Sequence, residues 1–312
     1  MILSVSRRTD IPAFYSNWFY NRIEAGFVDV RNPMNIHQVS RIKITPDVVD
    51  CIVFWTKNPQ PILSRLNKLT DYKYYFQITI NPYDNLIEKE VPKKSSIIDS
   101  FNYLSDKIGP DRVIWRYDPI LLSDKITISY HIKYFEELAK RLNKRTTQCI
   151  ISFIDLYKKT IINTKDYNIF APSEDEIKEL ASYLSTIAQK YNIKITSCSE
   201  KIDLATQGIQ HGCCIDPHLI EKICGYKINI KKDKNQRKEC RCAESIDIGA
   251  YNTCCHNCVY CYANFNKEKV KLQNLKHIET SSLLIGELTS SDVIKERNVK
   301  LLKSNLLFNE II

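Results

Sequence analysis

Glycine is scarce in this chain, with 7 in 312 residues, and no two are adjacent. Neither G-x-x-x-x-G-K-[ST] nor G-x-G-x-x-G occurs. The glycine-rich loops that wrap nucleotide phosphates in backbone N–H groups are therefore excluded. No uninterrupted apolar run approaches the ~20 residues that cross a bilayer, so no membrane partner is expected. The opening MILSVSRRTD meets charge at Arg7 and carries no secretory pattern, and the expected location is cytoplasmic. There is no internal repeat, low-complexity tract or Gly/Ser linker.

What is present is cysteine, 12 in all. In a reducing cytosol these read as metal ligands or catalytic thiols rather than disulfide staples. Lys and Arg number 45 against 36 Asp and Glu, a net charge of +9 that suits an anionic partner such as nucleic acid but equally keeps an ordinary surface soluble.

The first two hundred residues alternate between two kinds of segment. ILSVS, DCIVFW, YYFQITI, RVIWRY, QCIISFI and IKITS read as strands, apolar throughout as when both faces are buried. Between them lie helical periodicities. The clearest has Ile177, Leu180, Ala181, Leu184, Ile187, Ala188 and Tyr191 on one face, opened by a capping box of Ser173 and Glu176. Another carries Ile132, Phe135, Leu138, Ala139 and Leu142, and shorter ones are expected over 15–25, 61–69 and 97–108. The fold class is α/β, a parallel (β/α) barrel or part-barrel over 1–198, with a cysteine-rich region over 199–312 packing on or completing it. RRTD, TKNP, NPYD, DP, DLY and CSE follow the strands, so polar side chains gather at the C-terminal strand ends, where parallel sheets bind ligands. Capping explains the Asp, Asn and Pro residues there, but explains Arg7, Arg8, Lys57 and Arg116 less well.

CCHNCVYCYAN holds Cys254, Cys258 and Cys261 in the spacing C-x3-C-x2-C. Three soft thiolates on one short loop can hold three corners of an iron–sulfur cube and leave the fourth iron open. Cys255 is an alternative to Cys254. Upstream, Cys198 and Cys214 with the C-x-C pair Cys240 and Cys242 offer four ligands for a second cluster. Cys51 and Cys149 lie in apolar strands and read as small buried hydrophobes, and Cys224 has no evident role.

The loop, with Tyr260 just before its last cysteine, resembles the cluster loop of the radical S-adenosylmethionine (SAM) superfamily, and Tyr262 and Ala263 resemble the spore photoproduct lyase branch. SVSRRTDIPAF, CIVFWTKNP, WRYDPI, CSEKIDL, CIDP and QRKECRCAESIDIGAYNTCCHNCVYCYAN are similar to the bacterial family called domain of unknown function 1848, over nearly the full length. The first resemblance implies a [4Fe-4S] cluster on Cys254, Cys258 and Cys261, with SAM chelating the fourth iron. One-electron reduction, from a donor such as flavodoxin or ferredoxin, would then cleave SAM to methionine and a 5′-deoxyadenosyl radical. Tyr260 would lie near the adenine. In the superfamily the loop follows the first barrel strand. Here it follows the others, which implies a circularly permuted barrel with SIDIGAY as the preceding strand. The superfamily's Gly-Gly-Glu is absent, so Asp10 is the candidate for the SAM amino group, and Arg7, Arg8 and Arg116 for its carboxylate.

Two rivals stand beside this reading. One is a zinc-stabilised nucleic-acid-binding protein without catalysis, using the cysteines, His256 and the basic stretch 231–241. The other is a thiol redox enzyme using Cys258 and Cys261. His256 is otherwise expected on the loop surface, and His37, His211 and His218 show no ligand spacing. Tyr117, Tyr157 and the cysteines outside the two groups are the candidates for a general base or hydrogen donor, and the substrate is open between nucleic acid, a peptide and a small metabolite.

Overall fold

A computed structural model describes residues 1–304, so 305–312 of the expected C-terminal region lie outside the described residues. In chain order the strands are β1 (Ile2–Val5), β2 (Phe27–Asn32), β3 (Asn35–Lys43), β4 (Cys51–Thr56), β5 (Tyr74–Thr79), β6 (Val113–Ile120), β7 (Gln148–Phe153), β8 (Lys194–Cys198), β9 (Gln210–Gly212), β10 (Ile246–Asp247) and β11 (Val293–Glu296). The helices are α1 (Ile11–Phe14), α2 (Ser16–Ala25), α3 (Gln60–Leu63), α4 (Lys94–Ile108), α5 (Ile128–Leu142), α6 (Lys158–Thr164), α7 (Glu174–Lys190), α8 (Pro217–Cys224) and α9 (Lys267–Asn274).

Eight strands form one sheet in the order β10-β1-β4-β5-β6-β7-β8-β9, with every neighbouring pair parallel. All six strand runs read from the sequence lie in it. Successive residues of a strand point to opposite faces, and both faces are covered. On one, Leu3, Ile52, Phe54, Phe76, Trp115 and Ile151 meet Trp18 and Phe19 of α2, Phe101 of α4, Phe135 of α5 and Leu184 of α7. Phe54 pairs with Phe76 in register, and their rings stack at 4.4 Å. On the other, Ile2, Val53, Tyr75, Ile114 and Ile150 pack against Cys214, Ile215, Ile220, Ile223, Cys240 and Cys242. Part of the cysteine-rich chain thus covers the second face of the sheet. Cys51 and Cys149 are both buried strand residues, as read from their apolar neighbours.

α7 opens with the capping box formed by Ser173 and Glu176. The helix expected over 61–69 is broken into α3 and a 3-10 turn at Leu66–Leu69. A second sheet, β11-β3-β2, was not anticipated. Its β2–β3 hairpin is antiparallel, β3 and β11 carry many exposed residues and β2 is mostly half-buried, so no continuous apolar run announces it. Among the described residues no helix is long and apolar enough to cross a membrane.

Candidate metal centres and their cavity

The two-residue strand β10 places the cysteine loop. It runs parallel to β1, with Leu3 opposite Ile246 and Ser4 opposite Asp247. Asp247 bolts the two strand ends together, accepting from Ser4 Oγ at 2.9 Å, Ser6 Oγ at 2.6 Å, Arg7 N at 2.8 Å and Gly249 N at 3.0 Å. Gly249 then passes so close to β1 that a Cβ there would meet Ser6 Oγ at 2.0 Å. Reading the sequence missed Asp247, because an acidic residue at a strand end also looks like ordinary turn chemistry.

The loop is anchored from several sides. His256 lies between Cys254 and Cys258 and is 2% exposed, which corrects the expected surface position. Its Nε2 meets Asp10 Oδ2 at 2.8 Å, and its backbone oxygen accepts from Glu90 N at 3.0 Å. Val259 N donates to Ile87 O at 3.0 Å, and Asn264 Nδ2 to Cys254 O at 2.8 Å. Tyr260 donates its hydroxyl to Glu88, and Tyr262 donates to Arg7 O at 2.7 Å. Glu88 is the buried hub of this side. It pairs with Lys57 at 2.8 Å and also with Lys94. Burial alone would raise its carboxyl, but the two ammonium groups outweigh it and bring it down to about 2.

A cavity of about 480 Å³ opens at the C-terminal ends of the strands. Arg7, Arg8 and Asp10 after β1, Lys57 after β4 and Arg116 and Asp118 on β6 all line it. So do Cys254, Cys258 and Cys261 from the loop, with Tyr260 and His256. Cys198, Cys214, Cys240 and Cys242 line the same space, so both cysteine groups face one cavity. Cys255 does not line it, and its thiol points toward Thr253 O at 3.9 Å. Burial pushes the Cys258 thiol up to about 12, against the pull of Lys57, and burial with the neighbouring Cys261 pushes Cys254 well above its usual range. Bare thiols in this place would stay protonated, and a bound cation would ionise them.

The upstream group is tighter. The sulfurs of Cys198, Cys214 and Cys242 all lie within 4.8 Å of one another and are buried, an arrangement able to hold a metal. Cys240, 5% exposed, interacts through its thiol with Cys242. Arg116 Nη1 donates to Cys214 Sγ at 2.6 Å and to Gln77 Oε1 at 2.9 Å, and Nη2 donates to Asp118.

The other candidates are less available than their strand-end positions suggest. Asp10 Oδ1 caps α1 through Ala13 N at 3.0 Å, and Oδ2 also accepts from Lys57 N at 2.7 Å. Arg7 reaches Ser245 Oγ at 3.2 Å and Asp233 at 3.4 Å. Arg8 is the most loosely held, with Gly249 O at 3.4 Å, Asp247 at 4.0 Å and the Tyr251 ring at 5.3 Å. Tyr117 does not line the cavity, and its hydroxyl pairs with His131 Nδ1 at 2.7 Å, whereas Tyr157 does line it. Glu200 belongs to the polar stretch CSE at the end of β8, but nothing in the sequence singles it out. It sits two residues past β8 and accepts from Phe153 N at 2.9 Å. Burial, with Asp155 nearby, pushes its carboxyl up to about 7, so it holds or releases a proton near neutrality.

Among curated proteins nothing matches this chain. A crystal structure of a "putative alpha-L-fucosidase" from Bacteroides thetaiotaomicron VPI-5482 is similar at 11% identity and a TM-score of 0.22, covering 50% of this chain and 66% of that one. The chain therefore spans just under two thirds of that protein, and a likeness this low supports no argument about fold or activity. The family model described as Domain of unknown function (DUF1848) matches residues 2–263, with the strand-end residues and both cysteine groups inside that span, and the chain belongs to this family.

Proposed function

We propose that the protein is an iron–sulfur enzyme of the radical SAM type, built on a circularly permuted (β/α) part-barrel. The observation that carries the reading is the joint placement of Cys254, Cys258 and Cys261 at one cavity at the C-terminal strand ends. They stand on the loop that follows β10, beside β1. In this reading β10 is the first strand of the permuted barrel. Residues 1–198 supply the part-barrel, and 199–312 supply its two edge strands β9 and β10 and the cysteine loop.

The residues present fit a [4Fe-4S] cluster. The donors are three soft thiols on one short loop, facing a cavity that leaves room beside them for a substrate. Bound there, such a cluster would supply the single electron that cleaves SAM to methionine and a 5′-deoxyadenosyl radical.

The chain's own residues bind, orient and exclude water. Arg8, the most loosely tied guanidinium, is the best placed to take the SAM carboxylate. Arg116 is engaged by Gln77, Cys214 and Asp118, and Asp10 by Ala13, Lys57 and His256, so both serve to position the site. Tyr260, held by Glu88, forms an aromatic wall for the adenine. Asn235, Gln236 and Arg237 of the basic stretch reach the cavity, which makes anionic substrates, nucleic acid among them, the first class to try. A ferredoxin or flavodoxin is the proposed electron donor.

The test is anaerobic purification followed by SAM and dithionite. The expected result is 5′-deoxyadenosine from the wild type and none from Cys258→Ala. Zinc without acid-labile sulfide, and no 5′-deoxyadenosine, would overturn the reading and leave a zinc-stabilised binding protein.

A further inference from the structure

The two cysteine groups differ in spacing, and the difference decides what each can hold. Two thiolates bound to one tetrahedral ion at ~2.3 Å lie about 3.8 Å apart. Ligands of a cubane each take a different iron, so bridging sulfides and metal–metal separations hold their sulfurs further apart. Cys198, Cys214 and Cys242 fall within 4.8 Å of one another, and the first two are at 2.9 Å, longer than a disulfide at ~2.05 Å and shorter than the ~3.8 Å of two ligands on one ion, so an ion entering there moves these two sulfurs apart. Among the described residues, Cys254, Cys258 and Cys261 do not gather this closely.

Apart from the contact between Cys198 and Cys214, in which either thiol can donate, the groups that reach the upstream sulfurs are donors. Arg116 Nη1 points at Cys214 Sγ, and a guanidinium has no acceptor. The backbone N–H groups of Cys214 and Ile215 point at Cys242 Sγ, at 3.3 and 3.5 Å. Both sulfurs are therefore placed as acceptors, which suits thiolates. Arg116 already serves Asp118, so it does not neutralise several buried thiolates by itself. Such a group needs a cation among its sulfurs.

We propose that Cys198, Cys214 and Cys242, which are already gathered, with Cys240 moving in beside Cys242 as the fourth ligand, hold a single soft metal ion, zinc or iron, in a tetrahedral all-thiolate site without inorganic sulfide. This differs from the second [4Fe-4S] cluster expected from the sequence, and it does not depend on what the loop binds. Its position states its role. Cys198 ends β8, Cys214 follows β9, and Cys240 and Cys242 precede β10, so the ligands come from the chain at both edges of the sheet. The ion clips the segment that covers the sheet's second face. Tyr75 of β5 donates to Cys214 O at 2.7 Å, and Ala243 N donates to Ile215 O at 3.0 Å on the same segment. Binding releases the protons of the four thiols and adds its free energy to folding.

The test is to count iron, zinc and acid-labile sulfide in the anaerobically purified full chain. About five metal ions to about four sulfides is expected. Equal iron and sulfide near eight would overturn the proposal, as would about four of each with no further metal. One metal ion and no sulfide would keep it and remove the loop cluster instead. A Cys254→Ala, Cys258→Ala, Cys261→Ala variant should retain one ion without sulfide, and four irons with four sulfides there would refute the proposal. If that variant does not fold, the wild-type ratio still decides. Cobalt added to the metal-stripped protein should give the intense absorption bands of tetrahedral thiolate ligation. Cys240→Ser should shift those bands and Cys213→Ser should not. Unchanged bands in Cys240→Ser would remove Cys240 from the ligand set.

Discussion

Replacing Glu88 by glutamine removes one charge from the hub that holds the cysteine loop, and the structure sets the size of the effect. Glu88 is 2% exposed. It pairs with Lys57 and Lys94 and accepts from the Tyr260 hydroxyl. In the folded protein its carboxyl is lowered from 4.5 to about 2. At ~1.4 kcal/mol per pH unit, a shift of this size corresponds to about 3 kcal/mol of stability. That agrees with the ~3–5 kcal/mol cost of removing one partner from a buried ion pair. Glu88→Gln should therefore lose about 3 kcal/mol at neutral pH in urea unfolding followed anaerobically. The cost arises largely from Lys57, a buried ammonium left without its partner, so Lys57→Met in the same chain should recover part of it. The wild-type contribution is fully present above the unfolded value and disappears as acid titrates the group from about pH 4.5 toward about pH 2, so the two proteins should converge there. The variant should also lose loop-bound iron faster, because Tyr260 is then held more weakly. A loss below about 1 kcal/mol at neutral pH would refute the claim that this ion pair anchors the loop.

His131 is completely buried between Tyr117 and Leu121 O, and burial lowers it from 6.5 to about 4. The unfolded chain then binds the extra proton, so the His131 contribution to stability should fall by about 2 kcal/mol from about pH 7 to about pH 5, against an opposite contribution from Glu200, whose raised carboxyl takes up its proton in the folded chain. The difference in urea-unfolding stability between wild type and His131→Phe should carry that slope, and a difference independent of pH would refute it. Gly249→Ala drives a methyl into Ser6 and should cost about 1–3 kcal/mol, read as a lowered Tm and weaker metal retention. Arg8→Ala should leave the Tm within the error of wild type while weakening SAM binding at least tenfold by equilibrium dialysis. Unchanged SAM affinity would remove Arg8 from the site.

The parallel sheet was legible because its strands are buried on both faces and so read as unbroken apolar runs. α7 was legible because a capping box precedes a clean helical stripe. The hairpin β2–β3 and strand β11 were not, since strands whose residues are mostly exposed or half-buried carry no apolar run to mark them. His256 was read as a surface residue because spacing reports nothing about burial. Only the fold brings Asp10, 246 residues away, to within 2.8 Å of its ring. Glu200 and Asp247 were silent for a similar reason, as nothing local distinguishes a carboxylate that bolts strands or titrates near neutrality from one that caps a turn.

By itself the sequence determined the α/β class, the order of the six main strands and the three-cysteine loop, because each is written in local periodicity or short spacing. Tertiary structure alone decided that β10 sits beside β1, that both cysteine groups face one cavity, and that Cys198, Cys214 and Cys242 meet within 4.8 Å. The physical reason is range. Periodicity and spacing act over a few residues, whereas a ligand set gathered from positions 198 to 242 exists only once β8, β9 and the segment before β10 have packed onto the same sheet.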